Sequence, residues 1–343
     1  MSERRPWAEL AQRSLAGEQL SHSDALSVLE APGGHLLDLL AAAYRVRHHH
    51  FGNVVKLNFL INAKSGICPE DCHYCSQSRI STAEIDRYQL LSTEQILEQV
   101  DRAIELRAST CCLVTSARGP SKRELAGICE AVVAAKSRHP ALKLCACLGL
   151  LDDEAARRLK AAGVDRYNHN LNTAESHYGS ICSTHTFADR LQTVKAAAQA
   201  GISPCSGVIV GMGETHEQLA DVAFSLRAVG ADSIPINFLI PIEGTPLGKR
   251  PTRIDPTYAL NVLCMFRLIC PDREIRLSAG REVHLGSLQP LGLYPANAIF
   301  VSDYLTEPGQ APEADLRMIA DLGFEVEELG APIGSRHPVG STS

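Results

Sequence analysis

Apolar positions along this chain follow two periods, and the two periods alternate from about residue 54 onward. Short runs rich in β-branched residues predict strands at 54–61, 110–115, 142–148, 164–171, 202–210, 233–239, 274–279 and 296–301. Between them, apolar residues spaced three and four apart predict helices at 93–107, 121–136, 152–162, 186–199, 215–229, 255–270 and 312–322. Ser92, Ser121 and Thr215 each stand three residues before a Gln or Glu, which is the capping-box pattern of a helix start.

Strands that alternate regularly with helices imply parallel β-α-β units. Eight such units match the (β/α)8 TIM-type barrel, whose usual length is about 250 residues. An open doubly wound sheet is the alternative, but it would normally carry a glycine-rich phosphate loop after its first strand. We predict an α/β fold with a barrel at residues 51–325, an N-terminal helical segment at 1–50 and a C-terminal tail at 326–343, which we expect to be disordered.

Three consecutive histidines, His48, His49 and His50, stand at the end of the N-terminal helical segment. Adjacent residues of a helix or strand do not share a face, so the three imidazoles are poorly placed to bind one metal ion. We interpret them as a polar, partly solvated turn.

Composition narrows the class of protein. The 343 residues are 45% hydrophobic and 21% charged with a net charge of -6, which argues against a nucleic-acid partner. No run of eighteen apolar residues predicts a membrane span, and the N-terminus lacks the apolar region of a secretory signal. We expect a cytoplasmic protein whose twelve cysteines are reduced and in part bind metal.

The most informative motif is a cysteine loop that follows the first predicted strand. Cys68, Cys72 and Cys75 form the run C-P-E-D-C-H-Y-C, with C-x3-C-x2-C spacing. An iron–sulfur cube that is fully ligated by protein takes four cysteines, so a loop with three would leave one iron open to a small molecule. A structural zinc site is the alternative, but zinc loops favour C-x2-C pairs with a second pair further on.

A second group of reactive side chains lies on predicted strands: Cys111, Cys112, Cys145, Cys147, Cys205 and Arg276. Because strand side chains alternate between faces, Cys111 and Cys112 cannot both point into the barrel. An inward arginine stays protonated and needs negative charge nearby, which thiolates or a cluster would supply. The pattern indicates a buried metal–sulfur site without fixing which cysteines converge. Four further cysteines are interpreted as core thiols: Cys129, Cys182, Cys264 and Cys270.

Two polar or flexible segments follow the fourth and fifth predicted strands. Alternation places Asn168, Asn170 and Asn172 on one face, where their uncharged amides would suit a urea-like ring and ribose hydroxyls. A satisfied polar layer of the barrel is the alternative. The glycine-rich segment 206–214 permits close approach of a ligand to the backbone, or forms only a strand-to-helix turn.

The C-x3-C-x2-C run with Tyr74 before its last cysteine resembles the radical S-adenosylmethionine (radical SAM) superfamily. Its setting, K-S-G-I-C-P-E-D-C-H-Y-C-S-Q-S, is similar to the biotin synthases, and the likeness extends from about residue 5 to residue 325. Other matching stretches include S-T-C-C-L-V-T-S-A-R-G-P-S, D-R-Y-N-H-N-L-N-T and I-R-L-S-A-G-R.

The resemblance implies two clusters and two small-molecule ligands. The 4Fe–4S cluster would be held by Cys68, Cys72 and Cys75. The 2Fe–2S cluster would be held by Cys112, Cys145, Cys205 and Arg276. Contacts to S-adenosyl-L-methionine would come from Tyr74, Asn170, Asn172 and Ile209. Dethiobiotin would be held by Asn168, Asn170 and Asn237.

The same resemblance implies a sulfurtransferase that converts dethiobiotin to biotin by radical insertion of sulfur. S-Adenosylmethionine would be cleaved reductively at the 4Fe–4S cluster, and the sulfur would come from the 2Fe–2S cluster. Cys68, Cys72, Cys75 and Arg276 would be the catalytic residues. The implied partners are reduced flavodoxin or ferredoxin, the iron–sulfur assembly machinery and a second copy of the chain in a homodimer. The alternatives are a related radical SAM enzyme for another small molecule, a non-catalytic metal-binding protein and a lyase.

Overall fold

Parallel strands form the centre of the molecule. The computed structural model describes residues 6–250 and 254–330. The strands are β1 (Val54–Lys64), β2 (Thr110–Thr115), β3 (Lys143–Cys147), β4 (Arg166–Asn168), β5 (Ser203–Cys205), β6 (Val208–Val210), β7 (Ser233–Phe238), β8 (Glu274–Leu277), β9 (Ala298–Phe300) and β10 (Glu325–Val326). They pair in the order β1-β2-β3-β4-β5-β7-β8-β9, and β9 pairs with β1 to close the barrel. The predicted TIM-type barrel is confirmed.

The helices surround this barrel, and the predicted ones are all found. They are α1 (Pro6–Leu15), α2 (His22–Leu29), α3 (Leu36–Phe51), α4 (Thr93–Glu105), α5 (Lys122–Arg138), α6 (Asp153–Ala162), α7 (Glu175–Tyr178), α8 (Phe187–Gln199), α9 (His216–Ala228), α10 (Pro256–Ile269), α11 (Arg281–Leu285) and α12 (Pro312–Asp321). The three predicted capping boxes start α4, α5 and α9. None of the helices that the structure describes could span a membrane.

The strand predicted at 202–210 is divided into β5 and β6, and both pieces pair with β7. The break lies at Gly207, where a Cβ atom would collide with the carbonyl oxygen of Pro235. Only glycine allows the two backbones to come this close. The two pieces together occupy one position in the barrel, which therefore keeps the predicted eight.

The interpretation of the three histidines as a turn is wrong. His48, His49 and His50 lie in the last turn of α3, which ends at Phe51. Gly52, with φ of 58°, terminates the helix and donates its N–H to the carbonyl of His48. Polar and basic side chains are favoured in the last turn of a helix. Three successive histidines are therefore compatible with a helix and do not indicate a turn.

The expected tail falls mostly on residues 331–343, which lie outside the described residues. Val326, the first residue of the expected tail, forms β10 together with Glu325, and β10 pairs with Val54 and Val55 of β1. The amide of Glu327 also donates to the carbonyl of Val55. The chain thus stays attached to the barrel just beyond residue 325.

Strand alternation separates two buried clusters. Cys112 and Val114 of β2 pack with Cys145 of β3 in a small cluster of their own. Cys111 and Leu113 belong to the main hydrophobic core. The prediction that Cys111 and Cys112 face opposite ways is confirmed.

Candidate active site

A cavity of about 370 Å³ lies beside the cysteine loop, at the C-terminal ends of the strands. This is the end of a TIM-type barrel at which active sites are found. Most of the predicted site residues line it: Cys68, Cys72, Tyr74, Cys75, Cys112, Asn168, Asn170, Asn172, Ile209, Asn237 and Arg276. The other two, Cys145 and Cys205, are buried next to the lining residues Cys112 and Asn168.

Two carboxylates inside the cysteine loop fix it to the segment before α8. Glu70 accepts hydrogen bonds from Arg118 (3.0 Å) and His185 (2.5 Å). Asp71 accepts from the backbone N–H groups of Ser183 (2.9 Å) and Thr184 (3.2 Å). Burial alone would raise the pKa of Asp71, but the bonds from Ser183 and its neighbours lower it well below its usual value. The loop is therefore shaped by charged groups that stay ionised at neutral pH.

The loop thiols surround a volume and do not meet at one point. Among the described residues, the group whose ligand atoms lie within 4.8 Å of one another contains Cys72, Cys182 and His185, but neither Cys68 nor Cys75. Each thiolate of a cube binds a different iron, so spaced sulfurs fit a cluster better than a single zinc ion. Burial raises the pKa of the Cys68 thiol and raises that of Cys75 to about 11.

Three more thiols converge deeper in the barrel. Cys112 and Cys145 are directly opposite each other in the β2–β3 register, and Asn168 is opposite Cys205 in the β4–β5 register. These thiols influence one another's ionisation: Cys112 and burial raise the pKa of the Cys145 thiol, and Cys145 and burial raise the pKa of the Cys205 thiol. The Asn168 amide donates to the Cys205 sulfur at 3.2 Å.

Arg276 of β8 is buried beside these thiols. Its Nη2 donates to Glu274 at 2.6 Å and to Ser233 at 2.9 Å. Its Nε is buried and has no hydrogen-bond partner among the described residues, which is costly for a charged group unless something else satisfies it. Three clustered thiols beside a guanidinium with an unpaired Nε are the four residues expected to hold the 2Fe–2S cluster.

Sequence reasoning missed the carboxylate that balances Arg276. It assigned the missing negative charge to thiolates, whereas Glu274 of the same strand supplies a full charge at 2.6 Å. Glu274 is also bound by Arg166 at 2.8 Å and lies 3.5 Å from Lys56. The spacing of Glu274 and Arg276 was an available signal, because residues two apart on a strand share a face.

Arg190 of α8 is a second residue that the sequence did not reveal. It is buried, lines the cavity, and donates to the carbonyl of Asn170 (2.8 Å) and the hydroxyl of Tyr74 (3.3 Å). It also donates to Nε2 of His185, at 2.8 Å. An arginine in a helical pattern is typical of a solvated face, so nothing in the sequence separates Arg190 from surface arginines.

The asparagines form a connected polar wall. The Asn168 amide donates to Asn170 at 3.1 Å, and Asn170 accepts from the N–H of Gly207 at 3.0 Å. Asn172 donates to the Tyr74 hydroxyl at 2.5 Å, and Asn237 donates to the carbonyl of Val208 at 3.1 Å. β4 ends at Asn168, so strand alternation does not govern the later asparagines, although they do line the same cavity.

Two family profiles and two similar folds define the class of this protein. The profile of the Radical SAM superfamily matches residues 63–226, and that of the Biotin and Thiamin Synthesis associated domain matches residues 235–325. The fold is similar to that of methylornithine synthase, with a TM-score of 0.79 at 21% identity over 93% of this chain and 98% of that one. It is also similar to the FeFe-hydrogenase maturase of Carboxydothermus hydrogenoformans, with a TM-score of 0.77 at 19% identity over 94% and 79% of the two chains. The protein is thus a radical SAM enzyme built on a TIM-type barrel.

Curated relatives then give the family. The chain is 52% identical to the biotin synthase of Geobacillus kaustophilus over 95% of its length and 97% of the relative's. It is 52% identical to the biotin synthase of Bacillus subtilis over 94% and 96% of the two lengths, and 54% identical to that of Kocuria rhizophila over 96% and 70%. The chain belongs to the biotin synthase family, and its cofactors are a 4Fe–4S cluster, a 2Fe–2S cluster and S-adenosylmethionine.

Proposed function

We propose that the cavity beside the cysteine loop is where this chain converts dethiobiotin to biotin. The observation that carries the proposal is that one cavity is lined both by the loop thiols and by Cys112 of the buried thiol group. A ligand in the cavity would therefore contact both sulfur-rich sites at once. Proximity of this kind replaces diffusion between separate sites.

We assign the loop cysteines and the buried set around Cys112 as the ligands of two separate clusters. Cys68, Cys72 and Cys75 would hold the 4Fe–4S cluster, and the buried set would hold the 2Fe–2S cluster: Cys112, Cys145, Cys205 and Arg276. When bound, these groups supply reductive cleavage of S-adenosylmethionine and the sulfur atom that enters the product. The remaining side chains bind, orient and exclude water.

The polar wall is assigned to the small molecules. Asn172, Tyr74 and Ile209 would contact S-adenosylmethionine, and the hydrogen bond from Asn172 to Tyr74 supports their acting together. Asn168 and Asn237 would hold the ureido ring of dethiobiotin, with Asn170 between the two ligands. Uncharged amides suit that ring because they offer donors and acceptors without the desolvation cost of an ion.

Partners and assembly follow from the likeness to the family. We propose reduced flavodoxin or ferredoxin as electron donor, repair of the 2Fe–2S cluster by the iron–sulfur assembly machinery, a homodimer and a cytoplasmic location. Each cluster sulfur inserted into product must be replaced, so sustained turnover requires such repair.

An anaerobic single-turnover assay tests the proposal. Cluster-loaded protein is mixed with dethiobiotin, S-adenosylmethionine and a reducing system, and the products are identified by mass spectrometry. Biotin together with 5′-deoxyadenosine is the expected result. Formation of 5′-deoxyadenosine without biotin would indicate that the site acts on another small molecule. Formation of neither product would indicate a non-catalytic metal-binding protein.

A further inference from the structure

Cys182 lies directly behind the cysteine loop, although the sequence indicates only a core thiol. Its sulfur is 3.8 Å from that of Cys72, and the two side chains are 3% and 7% exposed. Cys72 lines the cavity, whereas Cys182 is not among the lining residues. A small reagent that entered the cavity would therefore meet Cys72 first, with the second sulfur behind it.

Hydrogen bonds on both sides of each cysteine keep the pair together. The N–H of His73, which follows Cys72, donates to the carbonyl of Ile181, which precedes Cys182, at 2.9 Å. The N–H of Ser183, which follows Cys182, donates to Asp71, which precedes Cys72, at 2.9 Å. None of these contacts involves a cluster ligand atom, so we expect them to remain when the loop holds no iron.

A single metal ion is a poorer occupant of this spot than a sulfur–sulfur bond. His185 is the third member of the group, but its Nδ1 is 2.5 Å from Glu70 and its Nε2 accepts from Arg190. Both ring nitrogens are engaged in hydrogen bonds, so the imidazole is poorly placed to act as a metal ligand. A disulfide needs a sulfur separation of about 2.0 Å, so the two sulfurs must approach each other from their present 3.8 Å.

We propose that Cys72 and Cys182 form a reversible disulfide when the loop cluster is lost and hydrogen peroxide is present. Peroxide transfers one oxygen to the sulfur of Cys72, whose thiol donates to Cys182 at 3.8 Å, and this step gives a sulfenic acid and one water. The Cys182 thiol then attacks that sulfur, the S–S bond forms, and a second water leaves. Two thiols are oxidised, one peroxide is reduced to two waters, and a dithiol reductant restores both thiols.

The disulfide would preserve a cluster ligand. A sulfenic acid left alone is oxidised further to sulfinic acid, which dithiol reagents do not reverse, whereas a disulfide is recoverable. Cys182 would thus keep the loop able to bind a new cluster after oxidative damage. This consequence rests on the proposed role of Cys72 as a ligand, while the disulfide itself is measured without any cluster.

Peptide mapping tests the bond directly. Cluster-free, fully reduced protein receives one equivalent of hydrogen peroxide under nitrogen, and the remaining thiols are alkylated. Trypsin cuts after Lys64, Arg79, Arg166 and Arg190, which separates the loop peptide 65–79 from peptide 167–190 with Cys182. We expect the two peptides to be linked, with a mass two hydrogens below the sum of the two reduced peptide masses. Fragment ions should place the bond at Cys72. A loop peptide linked internally, or unlinked with its cysteines overoxidised, would overturn the proposal.

Recovery of iron provides the second readout, with Cys182→Ser as the test variant and Cys129→Ser as the matched control. After peroxide, dithiothreitol and renewed iron and sulfide, the wild type and the control should regain the iron content of their untreated samples. Cys182→Ser should regain no more than about half of the iron content of its untreated sample, because sulfinic acid is not reduced by dithiothreitol. Equal recovery by Cys182→Ser would contradict the protective role. Failure of untreated wild type to bind iron would instead count against the cluster assignment of the loop.

Discussion

Glu274 and Arg276 lie two residues apart on β8, and their carboxylate and guanidinium are 2.6 Å apart inside the barrel. Arg166 binds the other carboxylate oxygen at 2.8 Å. Burial disfavours the charge on Glu274, but the two arginines hold the pKa of its carboxyl well below its usual value. Two guanidiniums around one carboxylate leave positive charge beside the buried thiols, which favours a negatively charged cluster there.

Replacing Glu274 with Gln should destabilise the fold. The substitution leaves Arg166 and Arg276 buried without a negative partner, and removing one member of such a pair costs about 3–5 kcal/mol. The free energy of unfolding of the cluster-free protein in urea measures the effect. Glu98→Gln, an exposed position on α4, serves as the control and should change it by less than about 0.5 kcal/mol. A loss at Glu274 as small as that of the control would contradict this account of the charge balance.

Cys112→Ala should separate the two halves of the reaction. We expect the variant to cleave S-adenosylmethionine at the loop cluster but to form no biotin, because the buried site would lose a ligand. Its iron content should fall from about six to about four per chain, following the cluster stoichiometries.

Cys111→Ala is the matched control for Cys112→Ala. The two residues are adjacent on β2, yet Cys111 packs in the main core and Cys112 in the inner cluster. Cys111→Ala should keep both clusters and biotin formation. Normal biotin yield from Cys112→Ala would remove Cys112 from the sulfur-donor site.

Local patterns in the sequence predict the barrel well because each strand and helix has its own period, but they predict tertiary partners poorly. The division of the fifth strand at Gly207 depends on the approach of Pro235, which is distant in sequence. Arg190 looks like a surface residue of α8 until the loop folds over it. Cys182 has no neighbour in sequence that suggests Cys72 at 3.8 Å.

Site residues were predictable where several lay in one short segment. The cysteine loop and the asparagines at 168–172 are each a compact motif, so their proximity follows from the chain itself. Glu274, the carboxylate that balances Arg276, was not predicted, because only thiolates or a cluster were expected to supply the negative charge. Strand alternation would have placed Glu274 on the same face.

Asn172→Ala should weaken binding of S-adenosylmethionine, whereas Asn172→Asp should preserve it. Asn172 donates to Tyr74 at 2.5 Å and has a φ of 70°, a conformation that Asn and Asp adopt more readily than Ala. Loss of the hydrogen bond and of the preferred turn should raise the Kd about tenfold, which corresponds to about 1.4 kcal/mol. Anaerobic equilibrium dialysis of the cluster-loaded protein gives the Kd.

Asn53→Ala is a suitable control for that experiment. It also removes an Asn–Tyr hydrogen bond, since the hydroxyl of Tyr44 donates to Asn53 at 2.7 Å, but neither residue lines the cavity. The control should leave the Kd unchanged. Equal weakening by both variants would show that the effect at Asn172 is structural and not local to the ligand.

Cys75 should react slowly with alkylating agents when the cluster is absent. Burial raises the pKa of Cys75 to about 11, so at neutral pH nearly all of this group is the unreactive thiol. The rate of reaction with iodoacetamide should therefore rise about tenfold per pH unit from pH 7 to pH 10, without a plateau. Urea-unfolded protein, with an ordinary thiol pKa near 8.5, should level off at about pH 9. Tandem mass spectrometry of peptide 65–79, with the label located on Cys75, gives both profiles, and circular dichroism verifies that the fold survives at pH 10. A plateau near pH 9 in the folded protein would mean that the cavity does not suppress ionisation. The steep profile would mean that iron, and not the protein alone, drives the proton from Cys75, so that cluster assembly must release a proton there and weaken as the pH falls.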